Sequence, residues 1–342
     1  MAPPPPHLTD LALARTGLDR RADLRAREDL LAALLSDGTT RVLELVADTA
    51  PVLEDARGVR LALRPPRPGD DPRSALFLGT AVGERAADPG GSGMPSRPAG
   101  AGRAQPEAAA YVALVRDDEG DATGDGVAAR AEDLRTLRQV GAHLGDRDAE
   151  VFTTALALAN WHRTHRFCPR CGRPTVAAMS GWVRRCVADD SQHFPRTDPA
   201  VIMSVVDDAD RLLLARNRGF RGNGASVLAG FVEPGESLSA AVVREVAEEV
   251  GVAVADVTYL GDQPWPFPGS LMVGFTCRAL GTDLALQDDE IAAARWFTRD
   301  QLVAAIRDEE LRIPPRLSIA RRLVEHWYGG AIDAPEVILR GR

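Results

Sequence analysis

The 342-residue sequence contains no lysine, so arginine supplies all 41 of its basic side chains. Acidic side chains outnumber them at 49, and the formal net charge is −8. The chain therefore lacks a global basic field that would hold nucleic acid without sequence preference, although the net charge says nothing against a local basic groove.

Long apolar runs and abundant cysteines are also missing. No stretch reaches the roughly 18 apolar residues of a transmembrane helix, so we expect no membrane association. The N-terminal MAPPPPHLTD lacks the basic start and apolar core of a secretory signal. Four cysteines are too few for a disulfide scaffold in a chain of this length, which favours a reducing, cytoplasmic setting.

The length suits two or three domains. Residues 1–160 predict an α+β domain, with a flexible insertion over about 83–107 that is rich in Gly, Pro, Ala and Ser. Helical periodicity within this domain predicts helices over Leu11–Leu35 and Glu132–His143. A compact cysteine-bearing segment follows at 163–196. Residues 197–330 read as short aliphatic strands and amphipathic helices, which is typical of an α/β domain.

The most informative segment is Gly230–Val252, which predicts a helix over Ser237–Val250. Glu249 projects into the apolar stripe of this helix, Glu245 borders the stripe, and Glu248 lies one step further round. Two carboxylates thus sit beside the core. The stripe itself consists of Leu238, Val242, Val246 and Val250.

A solvated acidic face explains most glutamate-rich helices, but it fits this one poorly. Carboxylates four residues apart on a helix repel each other, and burying them costs several kcal/mol unless a cation compensates. Oxygen ligands of this kind favour Mg²⁺ or Mn²⁺. The pattern therefore predicts a metal site and metal-assisted attack of water on a phosphorus centre.

The same segment resembles the signature of the Nudix hydrolases. The resemblance implies a Nudix α/β/α sandwich with a mixed sheet, and hydrolysis of a nucleoside diphosphate linked to another group. It also implies metal binding by the Ala229 carbonyl, Glu245, Glu249 and Glu290, and it makes Glu248 a candidate acceptor of the water proton. The matching positions are Gly230, Glu236, Arg244, Glu245, Val246, Glu248, Glu249, Gly251 and Val252.

A second motif, QPWPFPGS, follows at Gln263–Ser270. Its prolines and aromatic rings form either a stiff platform for a flat ring or a packed turn between strands. It resembles the octapeptide of the NADH pyrophosphatase (NudC-like) branch of that family. The resemblance implies substrate contacts at Gln263, Pro264, Trp265, Pro266, Phe267, Pro268, Gly269 and Ser270, and more weakly at Phe194 and Ala320.

That branch cleaves NADH to NMNH and AMP and removes NAD caps from RNA, so the resemblance implies NAD(H) as substrate and NAD-capped RNA as a second one. It also implies a homodimer. A broader pyrophosphatase acting on ADP-ribose or other dinucleotides, and a sensor that binds dinucleotide without cleaving it, are the alternatives. The first 160 residues fit the family only in length and position.

The cysteine segment predicts a zinc ribbon that is short of one ligand. Cys168 and Cys171 form a knuckle, and Cys186 supplies half of a second pair. Asp189 stands where the family has a fourth cysteine, and His193 is nearby. The residues leave two interpretations open: Zn²⁺ held by Cys168, Cys171, Cys186 and Asp189 or His193, or a ribbon that folds without metal.

Overall fold

The computed structural model describes residues 7–82, 109–116, 133–219, 222–287 and 290–334. The predicted insertion over 83–107 lies outside these ranges. The chain forms two compact units. The carboxylate unit comprises Met1–Arg15, Thr136–Leu144 and Arg196–Arg342, so it takes in two segments from the first 160 residues. The ribbon unit comprises Thr16–Arg135 and Gly145–Pro195.

The described elements are numbered along the chain. The strands are β1 (Leu18–Asp19), β2 (Arg41–Val46), β3 (Thr49–Asp55), β4 (Gly58–Leu61), β5 (Ala75–Ala81), β6 (Ala110–Arg116), β7 (Leu134–Thr136), β8 (Thr175–Ala178), β9 (Val183–Cys186), β10 (Gln192–His193), β11 (Asp198–Val206), β12 (Leu212–Asn217), β13 (Leu228–Phe231), β14 (Val254–Trp265), β15 (Ser270–Ala279) and β16 (Ile291–Phe297). The α-helices are α1 (Leu30–Ser36), α2 (Leu137–Val140), α3 (Asp146–Thr164), α4 (Leu238–Val250), α5 (Arg299–Arg307) and α6 (Ile319–Tyr328).

The carboxylate unit is built on a mixed sheet with strand order β14-β15-β11-β12-β16, and β13 also pairs with β11. Only β11 and β15 run parallel among these described pairs. Along β11, Val201 and Met203 join an apolar cluster with α4, whereas Ile202 joins a second cluster with α5 and α6. Because alternate residues of a strand face opposite sides, both faces of the sheet are covered by helices. The predicted α/β/α sandwich is confirmed.

Helix α4 forms where the sequence predicts it. The Ser237 hydroxyl accepts the Ala240 N–H at 3.2 Å, and Gly251 ends the helix with a φ of 71°. One member of the predicted stripe differs, since Leu238 in the first turn is 37% exposed. Ala241, which shares its face of the helix, is buried instead.

The ribbon unit contains a larger sheet with the order β1-β5-β6-β2-β3-β4, in which β7 pairs with β3. Helix α1 packs through leucines against this sheet, and α3 buries most of its length, including Glu150. Glu150 is satisfied because its carboxylate accepts the Gly17 and Leu18 N–H groups at 2.6 and 2.9 Å. A separate sheet, β10-β9-β8, carries the cysteines.

Two helices predicted from periodicity are much shorter in the structure. Of Leu11–Leu35, only the last turns form α1, and Leu18–Asp19 pairs with β5 instead. The chain passes so close to α3 that a Cβ at Gly17 would overlap the Arg147 backbone. Of 132–143, the described part holds strand β7 and the single turn α2. Tertiary pairing overrides helical periodicity in both places. No helix in the described ranges has the length and apolar character needed to cross a bilayer.

Candidate metal and substrate site

Glycine at position 230 lets strand β13 approach helix α4 at Glu245. Gly230 pairs with Val201 on β11, which fixes its place in the sheet. A Cβ built on Gly230 would overlap the carboxylate carbon of Glu245 and both of its oxygens. The Glu245 carboxylate therefore lies directly against the β13 backbone at Gly230, the residue that follows Ala229.

Arg244 holds the acidic residues around it in place. Its guanidinium donates to Glu236 at 2.6 Å, to Glu245 at 2.9 Å and to Glu248 at 3.0 Å. It also donates to the Phe231 carbonyl at 2.8 Å, which ties β13 to the helix. These bonds raise the pKa of Arg244 and lower that of Glu236. Arg244 is thus a positioning residue for the site.

Glu249 has no such partner. The residue is 4% exposed, and its Oε2 has no hydrogen-bond partner among the described residues. Burial raises the pKa of Glu249 to about 8, with further contributions from the charges of Glu290, Glu245 and Glu248. Burial likewise raises the pKa of Glu245. A buried carboxylate among like charges is costly unless a cation completes the site.

Glu290 approaches the same region from the loop before β16. Its side chain accepts a long hydrogen bond of 3.4 Å from the Asn217 amide, and its carbonyl accepts the Arg218 N–H at 2.8 Å. A cavity of about 360 Å³ opens here, and Glu249 and Ala229 are among the residues that line it. Asp288 and Asp289, its neighbours in the sequence, lie outside the described residues. The structure thus places all four predicted metal ligands in one region of the carboxylate unit.

The donor set fits a hard divalent cation. It consists of one carbonyl and three carboxylates, and the Glu249 carboxylate is buried with no hydrogen-bond partner at Oε2 in the part of the chain that the structure describes. In the described chain, only the cysteine group has three or more ligand atoms within 4.8 Å of one another.

The octapeptide Gln263–Ser270 forms the end of the β14–β15 hairpin. Ser270 pairs with Asp198, two residues before Ala200, and Ala200 pairs on its other side with Phe231. The end of the hairpin and the end of β13 therefore lie at the same end of the sheet, on either side of β11. Gln263 is fully buried, and its amide donates to the Leu317 carbonyl at 3.0 Å.

The two aromatic rings of the octapeptide do not form one flat surface. Trp265 and Phe267 meet edge to face, with centroids 4.9 Å apart and planes 74° apart. The Arg138 guanidinium, just after β7, lies 3.9 Å from the centroid of Phe267 and 5.3 Å from that of Trp265. Sequence reasoning missed Arg138, because it is far along the chain and belongs to a segment predicted as plain helix.

The two weaker substrate candidates have very different environments. Phe194 lies in the ribbon unit and is 66% exposed. Ala320 lies in α6 of the carboxylate unit, is 3% exposed, and packs in the cluster beneath the sheet. A side-chain methyl at that position contributes to packing, so any contact of Ala320 with substrate would go through its backbone.

The cysteine cluster gathers the four tentative zinc ligands. Cys168, Cys171, Cys186 and Asp189 offer ligand atoms that all lie within 4.8 Å of one another. The Cys171 and Cys186 sulfurs are 3.4 Å apart, against about 3.8 Å for two thiolates on one tetrahedral zinc ion. Ser191 donates to Asp189 at 2.6 Å and lowers its pKa to about 2. Asp189, rather than His193, is the fourth member.

We expect about one zinc ion per chain, held by these four residues. Asp189→Ala should lower zinc affinity on the order of 100-fold, since loss of a direct ligand costs at least as much as loss of an outer partner. Asp189→Cys should retain the metal. Elemental analysis after dialysis against a graded zinc chelator measures both. The matched control is Asp190→Asn, which removes the charge of an exposed carboxylate paired with Arg185 and keeps a residue type that tolerates the φ of 57° at this position. A loss equal to that of Asp189→Ala would contradict the assignment.

Comparisons with known proteins agree with this geometry. The NUDIX domain model matches residues 196–317, and the NADH pyrophosphatase zinc ribbon domain model matches residues 163–194. The first covers the whole sheet of the carboxylate unit together with α4 and α5, and the second covers the cysteine cluster. The two matches therefore coincide with the two sites described above.

Several known proteins are similar to this chain. A Mycobacterium bovis protein named NAD-capped RNA hydrolase NudC is 38% identical over 333 residues, which covers 92% of this chain and 94% of that protein. The human NAD-capped RNA hydrolase NUDT12 is 39% identical over 196 residues, or 54% of this chain and 42% of that protein. A crystal structure of a NUDIX hydrolase from Nitrosomonas europaea covers 48% of this chain and 94% of its own, at 17% identity and a TM-score of 0.39.

Proposed function

This chain belongs to the Nudix hydrolases that carry the zinc ribbon of NADH pyrophosphatases, and on that premise we propose that it hydrolyses the pyrophosphate bond of NAD(H). The products are NMN(H) and AMP. The observation that carries the proposal is Glu249, a buried carboxylate without a partner among the described residues, in a cavity shared with Ala229. A cation bound between this carboxylate and the phosphate of a substrate would compensate the buried charge, which explains a carboxylate at this place.

The metal site would be formed by the Ala229 carbonyl, Glu245, Glu249 and Glu290. Mg²⁺ or Mn²⁺ bound there supplies charge neutralisation for the pyrophosphate and a more acidic water. Gly230 keeps the strand close enough to α4 for the Ala229 carbonyl and the Glu245 carboxylate to bind the same metal ion. Arg244 fixes Glu245 and Glu248 from the other side.

Removal of a proton from the attacking water needs a carboxylate that is not itself a ligand. Glu248 meets this requirement, since it lies beside the ligand pair and is 54% exposed at its side chain. Its bond to Arg244 holds it towards Glu245. The water oxygen then forms a bond to one phosphorus, and the bridging P–O bond breaks, leaving a phosphate monoester on each product.

The octapeptide would bind the nucleotide part of the substrate. Pro264, Pro266 and Pro268 stiffen the hairpin end, Gly269 and Ser270 complete its turn into β15, and Gln263 fixes it to the Leu317 carbonyl. A flat ring can stack on Trp265 or Phe267. Arg138, already over both rings, adds a positive charge at this position.

The same site also serves for NAD-capped RNA, where the adenosine of NAD is the first nucleotide of the strand. Cleavage of the same bond releases NMN and leaves RNA with a 5′-monophosphate. Two further parts of the proposal rest on the family resemblance and on the free cysteines: the chain acts as a homodimer, and it acts in the reducing cytoplasm.

The proposal is tested by incubating the purified protein with Mn²⁺ and each substrate, and by separating the reaction products by chromatography. NADH, NAD⁺, ADP-ribose and NAD-capped RNA are supplied separately at one stated salt concentration. We expect AMP and NMNH in equal amounts from NADH, and 5′-monophosphate RNA from capped RNA. Cleavage of ADP-ribose alone would instead identify a broader pyrophosphatase. Absence of cleavage of all four, with dinucleotide still bound, would identify a sensor.

A further inference from the structure

Ser191 lies among the four predicted zinc ligands without being one of them. Its hydroxyl oxygen is 2.6 Å from Asp189 Oδ1, 3.6 Å from the Cys168 sulfur and 3.2 Å from His193 Nε2. Its carbonyl accepts the Cys186 N–H at 2.9 Å, which closes the loop between β9 and β10. Ser191 therefore contacts three of the four residues of the cluster.

Asp189, the member of the cluster that is not a cysteine, depends on Ser191 for its orientation. Both the backbone N–H and the hydroxyl of Ser191 donate to Asp189 Oδ1, at 3.0 and 2.6 Å. The Cys186 thiol also bonds to this carboxylate. An ionised carboxylate offers about two acceptor positions on each oxygen, so the two bonds from Ser191 fill Oδ1. Oδ2 is then the oxygen that a metal would bind.

The position of the proton on His193 follows from the same bonds. The Ser191 hydroxyl has a single proton and gives it to Asp189, because a carboxylate can only accept. The hydroxyl must therefore accept from His193, whose Nε2 carries a proton and has no lone pair for a metal. His193, the alternative fourth ligand in the sequence, is thus a partner of Ser191.

A turn of this kind does not require the hydroxyl. An aspartate closes a turn by accepting the backbone N–H two residues further on, which the Ser191 N–H already supplies. The hydroxyl adds a second bond to the same oxygen. A cysteine would not need it, since a thiolate binds zinc through its one sulfur, whereas a carboxylate has two oxygens and can bind through either or both.

We propose that Ser191 is a positioning residue that lets Asp189 replace the fourth cysteine of the zinc ribbon. It holds one carboxylate oxygen so that the other binds the metal, and His193 in turn orients the Ser191 hydroxyl. Asp189 then counts as one ligand, and the site keeps the four ligands that structural zinc prefers. The proposal rests on the zinc assignment and is independent of the proposed reaction.

Competition between the full chain and a graded zinc chelator tests this proposal. Ser191→Ala should weaken zinc binding about 10- to 100-fold, which is the range for loss of an outer partner of a metal ligand. Ser191→Thr keeps the hydroxyl and should restore most of the affinity. His193→Phe should weaken binding only about 2- to 10-fold, as expected for one lost neutral hydrogen bond. The matched control is Ser36→Ala, which removes a hydroxyl that donates to the Ala32 carbonyl in α1, and it should leave the affinity unchanged.

The Asp189→Cys background separates positioning of the carboxylate from a general effect on the ribbon fold. A thiolate there needs no orientation by Ser191, so adding Ser191→Ala should change zinc affinity less than about twofold. Equal losses in the two backgrounds would overturn the proposal in favour of a structural role of Ser191.

Two further results would also overturn the proposal. A loss in His193→Phe as large as that in Asp189→Ala would make the histidine the fourth ligand. An unaltered chain that binds no zinc would refute the zinc assignment and the proposal together. None of these measurements depends on cleavage of NADH, so failure of the proposed function would be seen separately.

Discussion

Glu249→Gln is expected to lower turnover of NADH at saturating Mn²⁺ by about 1,000-fold or more, because it removes the charge of the most buried ligand in the carboxylate unit. The amide keeps the size of the side chain, so the fold should persist. Steady-state kinetics across a Mn²⁺ titration measures the loss. Glu310→Gln, at an exposed position after α5, is the charge-matched control. Turnover near that of the unaltered protein would contradict the metal-site assignment.

When Mg²⁺ and Mn²⁺ are absent, Glu249→Gln should increase the free energy of unfolding near pH 8, although it lowers turnover when metal is present. Burial raises the pKa of Glu249 from its ordinary value of 4.5 to about 8 in the folded protein, so the folded state binds the proton more tightly than the unfolded state. The stabilisation from the protonated form is complete below about pH 4.5 and is lost as pH rises through about 8.

Urea unfolding at pH 5.5 and pH 8 measures this effect. At pH 8 the glutamine variant should be more stable than the unaltered protein, on the order of 2–5 kcal/mol, and the difference should shrink at pH 5.5. Added Mn²⁺ should stabilise the unaltered protein strongly and the variant little. If the variant were less stable than the unaltered protein at pH 8 without metal, the Glu249 carboxylate would have a stabilising partner in the protein. That result would contradict its environment among the described residues.

Gly230→Ala is expected to lower activity on the order of 100-fold or more while leaving stability nearly unchanged. The new methyl group would occupy the space of the Glu245 carboxylate. Glu245 is a long side chain that can rotate away, so the collision displaces a ligand rather than the strand, and a displaced ligand weakens the metal and its chemistry. Turnover, the Mn²⁺ concentration for half activity and the urea midpoint are measured together.

Gly281→Ala provides the comparison for this variant, because a Cβ there meets no atom within 4 Å and the glycine has no positive φ. It should match the unaltered protein in all three measurements. A Gly230→Ala variant that loses stability as well as activity would show that the strand, and not Glu245, gives way. A fully active Gly230→Ala variant would show that the Glu245 carboxylate can function from another position.

The sequence predicted most of what is local along the chain. The bounds of α4 follow from its serine cap, its apolar spacing and Gly251, and each of these acts within one helical turn. The conflict between acidic side chains and an apolar stripe also follows from helical periodicity, and the structure places Glu249 on the buried side. The cysteine spacing predicted three members of the ribbon cluster for the same reason.

Features that depend on distant residues were not predictable in this way. The segment Leu11–Leu35 has helical periodicity, but β1 pairs with β5 because strand pairing satisfies its backbone at that place. Arg138 reaches the octapeptide rings from more than a hundred residues away. Neither contact leaves a pattern within a short window of sequence.

The sequence by itself determined the helix, its carboxylates, the octapeptide and the ribbon cysteines. Each of them is a pattern of residue types at short spacing along the chain, and such a pattern can be read without the fold. Only the tertiary structure decided that Glu249 has no side-chain partner among the described residues, that Gly230 lies against Glu245, and that Asp189 joins the cysteines. Burial, overlap and repulsion are properties of atoms brought together in space, so they exist only once the chain has folded.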